Sequence, residues 1–382
     1  MDQFLSVLSR HQETCLRSAS SSTRHTLVKF FPLNVPRRFV ADKDHFMRNL
    51  AVGLAARGLA PPFIKDVSAV YFGRRRHLGM VRQWVEGRTL HQLIVDGGGG
   101  KDGFSLRSDP LFADLGVALA RFHLLGNDAD FRRGVIERHF PSAAPMALLR
   151  LEEWRRGALL SLVCSSLGQS PVWGDLYRDV IEAGSDVVRV VGAAVGNLKT
   201  AEALRPVFGH NDCTPSNIVV RDDAAAEADS GGVYLIDEEW AAPNLAIYDF
   251  ANFVMAMTLL RLRGLAELST NSILRRAVRT MAAEYLKMMK TESLESEGGQ
   301  MNDVEGCSVD AFVDDVWTFV PVAALTHCFS NLIHASKEGQ LTTAIPVDDA
   351  LHDREGTFNW LRHASDHISV FREYSQSFQN GI

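Results

Sequence analysis

The tightest constraint on the fold is a pair of short β-type runs set inside a long helical stretch. Residues 207–220 read VFGHNDCTPSNIVV, and residues 233–241 read VYLIDEEWA. Both are rich in the apolar, β-branched and aromatic residues of strands. The segment between them, 221–232, is acidic and ends in glycines, so the two runs are predicted to form a hairpin. On either side the pattern is helical: 111–125, 144–162, 176–198, 248–262, 273–289, 311–337 and 357–378 repeat apolar residues with a helical period. Pro321 is expected to kink or split the helix over 311–337. Residues 291–308 are polar and contain glycine, which predicts a loop.

The N-terminal third has a different rhythm. Residues 26–31 (TLVKFF) suit a strand, and 44–57 place Phe46, Leu50 and Leu54 at helical spacing before Gly58, Pro61 and Pro62 stop the helix. Two strands follow, 67–72 and 77–85. Four glycines, Gly97 to Gly100, lie in a loop over 95–103. No strand leads directly into them and the next helix begins near Asp109, so they are not read as a phosphate cradle. The resulting class is α+β, with two lobes: an extension over 1–24, a small β-rich lobe over 25–86, and a large, mainly helical lobe over 87–382. A chain of 382 residues can supply both cores.

Charge and cysteine usage exclude some functions. The formal net charge of -6 opposes general nucleic-acid binding. Arg74, Arg75 and Arg76 read as a solvated turn. The five cysteines, Cys15, Cys164, Cys213, Cys307 and Cys328, form no paired motif, which suggests free thiols in a reducing compartment, the cytoplasm. No apolar run approaches the roughly 18 residues a membrane span needs.

Chemistry concentrates in the first β run. His210, Asn211 and Asp212 are followed, after four residues, by Asn217, and the second run ends in Asp237. A short loop of this spacing lets Asp212 meet a substrate hydroxyl while Asn217 turns back to a metal ion on nucleotide phosphates. A carboxylate at a strand end, Asp237, is the hard oxygen ligand that Mg²⁺ prefers. His210 is expected to brace the loop through hydrogen bonds, to Asp237 or to backbone, and Cys213 to pack within it.

GHNDCTPSNIVV followed by YLIDEEWAAPNLAIYDFANF resembles the choline/ethanolamine kinases, whose fold is protein-kinase-like and related to that of the aminoglycoside phosphotransferases. The similarity is strong over 208–253 and looser over 26–337. It implies an ATP-dependent kinase acting on a small hydroxylated amine, with Mg²⁺ and ATP, no nucleic-acid or membrane partner, and a homodimer as an open option. It implies Asp212 as the base, Asn217 and Asp237 as metal ligands, Glu239 close to the metal, and Asp249 pinning the loop from behind. It also implies Lys29 on the ATP phosphates, and a connector at Gln83 to Gly87 whose backbone, at Gln83 and Val85, meets adenine. Ala120-Arg121-Phe122-His123 matches a family helix ending in the same Phe-His pair.

Three departures stand against the family pattern. No glycine precedes Gly53, so the glycine-containing nucleotide loop is missing. Met47 stands near the position of a helix Glu that would pair with Lys29, with Asp44 the nearest acid. The late helix reads Ala324 to Ile333, ALTHCFSNLI, where choline kinases carry two tryptophans, and Ala256 falls near an acid position. The alternatives are a phosphotransferase for an aminoglycoside or sugar and a catalytically weak pseudokinase.

Overall fold

The computed structural model describes residues 26–32, part of 46–54, 63–72, 75–83, 87–97, 109–140, 144–155, 174–221, 232–265, 271–296, 307–337 and 359–379. Strands β1 (Thr26–Pro32), β2 (Phe63–Phe72) and β3 (Arg75–Gln83) form an antiparallel sheet in the order β1-β3-β2. Lys29 lies opposite Met80, and Thr26 opposite Gln83. The β2–β3 register shifts twice, between Phe63 and Lys65 and between Val67 and Val70, as bulges produce. The helical residues Phe46, Leu50 and Leu54 are buried, as their spacing requires.

The chain enters the larger part at Gly87. Its φ is +147°, and a Cβ there would stand 2.2 Å from the Val220 carbonyl oxygen. Glycine is required by both counts. Next, β4 (Arg88–Thr89) pairs with β6 (Ile218–Val220), which pairs antiparallel with β7 (Val233–Leu235). The predicted hairpin is therefore β6–β7. The start of the first run goes elsewhere: β5 (Pro206–Gly209) pairs with β8 (Ala242–Leu245).

Helix α1 (Leu90–Gly97) occupies residues that the glycine run had assigned partly to a loop. Thr89 and Gln92 cap it reciprocally: the Gln92 N–H donates to Thr89 Oγ1 at 3.1 Å, and the Thr89 N–H to Gln92 Oε1 at 3.0 Å. Leu90 and Ile94, one turn apart, are buried beneath it.

The body consists of α2 (Asp109–Leu124), α3 (Met146–Arg155), α4 (Gly174–Gly196), α5 (Ile247–Leu262), α6 (Asn271–Ser296), α7 (Val309–Lys337) and α8 (Trp360–Gln379), with irregular helical turns over 125–139. Every residue from Ile247 to Leu260 is buried. A helix apolar all round must be central, and α5 packs on α6, α7 and α8. Helices α2 and α6 touch backbone to backbone, since a Cβ on Gly116 would lie 2.2 Å from the Met281 carbonyl oxygen.

Two expectations are corrected here. Helix α6 runs to Ser296, into the predicted loop, because Glu292, Leu294 and Glu295 have good helix propensity. Helix α7 is one element with Pro321 inside it, not two. The lost hydrogen bond costs about 3 kcal/mol, which burial along this helix offsets. Residues Val309–Ala335 are also long and apolar enough to cross a membrane, although no uninterrupted apolar run had been seen. Of its apolar 18-residue stretch 72% is buried inside the protein, and α7 packs against α4, α5, α6 and α8. Asp315 is fully buried in α7 and accepts from the Lys199 and Thr200 N–H groups and from Thr200 Oγ1.

Candidate active site

The two β runs converge because Ile236 is bonded through both its backbone groups. Its N–H donates to the Asn217 carbonyl at 2.9 Å, and its carbonyl accepts from His210 Nε2 at 2.9 Å. Asp237 follows directly, half-buried and in the left-handed region at φ 62°. Only Asn211 and Asp237 among the described non-glycine residues have positive φ. Backbone strain of this kind clusters at functional sites.

Asp212 and Asn217 touch. Asn217 Nδ2 donates to the Asp212 carboxylate at 2.8 Å and to its carbonyl at 3.0 Å. Oδ1 of Asn217, a hard oxygen donor, takes no part in these two bonds. The ring of His210 is fully buried. Nε2 must carry a proton to donate to the Ile236 carbonyl, and Nδ1 must present its lone pair to the Asp212 N–H at 3.3 Å. Both nitrogens are thereby committed to backbone partners, and the ring braces the loop.

Asp249, in the first turn of α5, lies beneath the loop. Its Oδ2 accepts from the His210 N–H at 2.8 Å and its Oδ1 from the Asn211 N–H at 2.7 Å. His123, at the end of α2, adds a third contact through Nε2 at 2.9 Å, and its Nδ1 meets the Tyr285 hydroxyl at 2.9 Å. Burial opposes ionisation of Asp249, yet the hydrogen bond and charge of His123, helped by the hydrogen bond from the His210 backbone N–H, hold the carboxyl below its ordinary value. Asn252, one turn along α5, donates to the Asn211 carbonyl at 2.9 Å.

Cys213 is fully buried, and burial first, then the charges of Asp249 and Asp212, push its thiol well above the usual range. Such a thiol packs and does not attack.

No family profile matches the chain, and no curated protein matches it. Solved structures do. A choline kinase from Cryptosporidium parvum superposes over 100% of this chain and 97% of its own, with a TM-score of 0.56 at 13% identity. An ethanolamine kinase from Plasmodium vivax superposes over 94% of this chain and 79% of its own, with a TM-score of 0.54 at 13% identity. The chain has the kinase-like fold of these proteins.

Within that kinase-like fold the residues singled out from sequence fall into two groups. His210, Asp212, Asn217, Asp237 and Asp249 meet at one place, between the β6–β7 hairpin and the start of α5. Lys29 and Gln83 are on the β1–β3 ladder of the other sheet. Glu239 sits in the short turn Glu238–Trp240 that follows Asp237. Val85, Asp44 and Met47 lie outside the described residues. Sequence reasoning noted His123 without assigning it a task and did not mark Tyr285. A buried histidine at a helix end, in register with a distant aspartate, leaves no local signal.

Proposed function

We propose that the chain is an ATP-dependent phosphotransferase that adds the γ-phosphoryl group to the hydroxyl of a small primary amino alcohol. The observation that carries this is the junction of Asp212, Asn217 and the Ile236–Asp237 strand end in one hydrogen-bonded unit. Asp212 accepts the proton of the attacking hydroxyl, and Asn217 and Asn211 backbone contacts fix where its carboxylate stands. The Asp237 carboxylate and Asn217 Oδ1 are the protein oxygens suited to a magnesium ion, with nucleotide phosphates completing its shell. When bound, that ion supplies charge neutralisation at the β- and γ-phosphates. Lys29 contacts the phosphates, and Gln83 and Val85 meet the adenine through backbone groups.

The acceptor assignment follows from what the indoles already touch. A quaternary ammonium needs open aromatic faces, whereas a primary ammonium can be held by carboxylates and carbonyls. Trp317 carries the Arg275 guanidinium 5.2 Å over its ring. His334 stacks on Trp360 at 4.5 Å and meets Trp240 edge-on at 6.5 Å. These contacts favour ethanolamine or a similar primary amine over choline.

A second assignment, a nucleotide-binding pseudokinase, is favoured by the lack of any glycine before Gly53. Coupled kinase and nucleotide-hydrolysis assays against amino alcohols, aminoglycosides and sugars separate the two. Turnover with an amino alcohol supports the first, and Mg-ATP binding with no turnover on any acceptor supports the second.

A further inference from the structure

We propose that Asn211 is a positioning residue that locks the Asp212 loop to the turn after Asp237, so that proton acceptor and metal ligand hold one geometry. The inference rests on the function proposed above for its reference to Asp212 and Asp237. The lock itself stands on hydrogen bonds alone.

Asn211 Nδ2 donates to the Trp240 carbonyl at 3.0 Å and the Ala242 carbonyl at 3.1 Å, with the Gly209 carbonyl further off at 3.3 Å. Trp240 closes the turn that begins at Asp237, Ala242 opens β8, and Gly209 ends β5. One amide thus ties together three backbone segments: the end of β5, the turn after Asp237 and the start of β8. Its orientation is forced. Flipped, its oxygen would face three carbonyl oxygens. The other end agrees: Asn211 Oδ1 accepts from Asn244 Nδ2 at 2.5 Å. Asn244 is itself oriented by the Leu245 N–H, which donates to its Oδ1 at 2.9 Å.

The backbone of Asn211 is equally committed. Its N–H reaches Asp249 at 2.7 Å and its carbonyl Asn252 at 2.9 Å. All this is made at φ 64°, in the left-handed region. Asparagine is among the few side-chain-bearing residues that adopt that conformation readily. Glycine would adopt it more easily. The amide is therefore the reason for asparagine here, and it separates two roles that a single substitution would confuse.

The decisive variant is Asn211→Gly, which keeps the backbone conformation and removes the amide. Amide hydrogen exchange and steady-state kinetics are measured on the full chain, with Asn211→Ala beside it. Exchange in residues 237–245 is expected to rise in Asn211→Gly while residues 90–97 stay as in the parent. The rate kcat is expected to fall about 10-fold or more, as misplaced catalytic groups cause. The Mg²⁺ concentration for half-maximal rate should rise several-fold, with the acceptor KM within about 2-fold of the parent. Asn211→Ala should lose more, since it adds strain. Unchanged exchange and kinetics in Asn211→Gly would overturn the proposal and reduce the residue to its φ. If the parent transfers no phosphate to any acceptor, the phosphotransferase assignment fails, and the exchange measurement alone decides the lock. Should Asn211→Gly not fold, Asn244→Ala gives the same test from the other end: raised exchange at 237–245 supports the lock, and parent-like exchange there overturns it.

Discussion

Two buried polar clusters lie in the helical part, and they treat charge in opposite ways. The cluster under the loop is organised around an anion. Asp249 is 1% exposed, receives two backbone N–H groups and His123, and is kept ionised. The cluster between α7 and α8 is organised around neutral rings. His327 stacks on His367 at 5.5 Å, and His363 meets His367 at 4.6 Å. Arg263 donates to His363 Nδ1 at 2.6 Å, which requires a lone pair there. The Arg263–Asp366 pair lies alongside at 2.7 Å. Burial first, then neighbouring rings and Arg263, drive His363 far down, and burial pushes His367 to about 4. Two clusters of similar burial thus differ in kind: one stabilises an anion that aims backbone at a site, and the other keeps its histidine rings neutral beside a paired Arg263 and Asp366.

The comparison breaks most readily at the loop. Asp212→Asn is expected to cut turnover by about 10² to 10⁴, the usual cost of a lost base, while Mg-ATP affinity stays within a few-fold. Steady-state kinetics with parallel binding titrations check it, and near-parent turnover would remove Asp212 from the reaction. Asp237→Ala is expected to abolish the Mg²⁺-dependent part of nucleotide binding. Equal Mg-ATP affinities in mutant and parent, by calorimetry, would place the metal elsewhere.

The two clusters should also separate along the pH axis. A histidine whose folded pKa is depressed binds protons in the unfolded chain first, so its penalty grows as pH falls from about 6.5 towards the His367 value of about 4. That shift corresponds to about 3 kcal/mol at full development. Asp249 has a depressed carboxyl, so its contribution is present above its unfolded value of 3.8 and is lost only below it. Chemical denaturation from pH 7 to 3 should therefore show an early loss that His367→Leu flattens. A pH profile unchanged in His367→Leu would show that the α7–α8 rings do not set it.

Smaller effects concern the substrates. Ethanolamine is expected to exceed choline by at least ~10-fold in kcat/KM, about one cation–π contact. A choline preference would mean that Trp240, Trp317 or Trp360 opens a face that these contacts now cover. Lys29→Ala should reduce ATP binding or turnover less than a kinase lysine with a helix Glu would, given Met47 near the partner position. Loss equal to that of Asp212→Asn would reveal another partner, with Asp44 the first to test.

The sequence made the loop legible because its chemistry is local. His210 to Asn217 is eight residues, and Asp237 is marked by the strand it ends. Most helices were legible from their periods, as α5 shows at Ile247–Leu262 against an expected 248–262, whereas α6 runs on to Ser296 past an expected end at 289. What escaped was long-range or masked by composition. The β5–β8 pairing links Phe208 to Pro243, and His123 reaches Asp249 across 126 residues. Helix α1 was hidden by its glycine-rich end, although the Thr89–Gln92 capping signal stood in plain order. Pro321 does not split α7, because tertiary burial can outweigh one missing hydrogen bond.

The most direct test of the central claim is to incubate the full chain with Mg-ATP and ethanolamine and identify the products by mass spectrometry. The account predicts ADP and O-phosphoethanolamine in equal amounts, formed only when Mg²⁺ is present. ADP release without any phosphorylated acceptor, for ethanolamine and for the other amino alcohols alike, would contradict it.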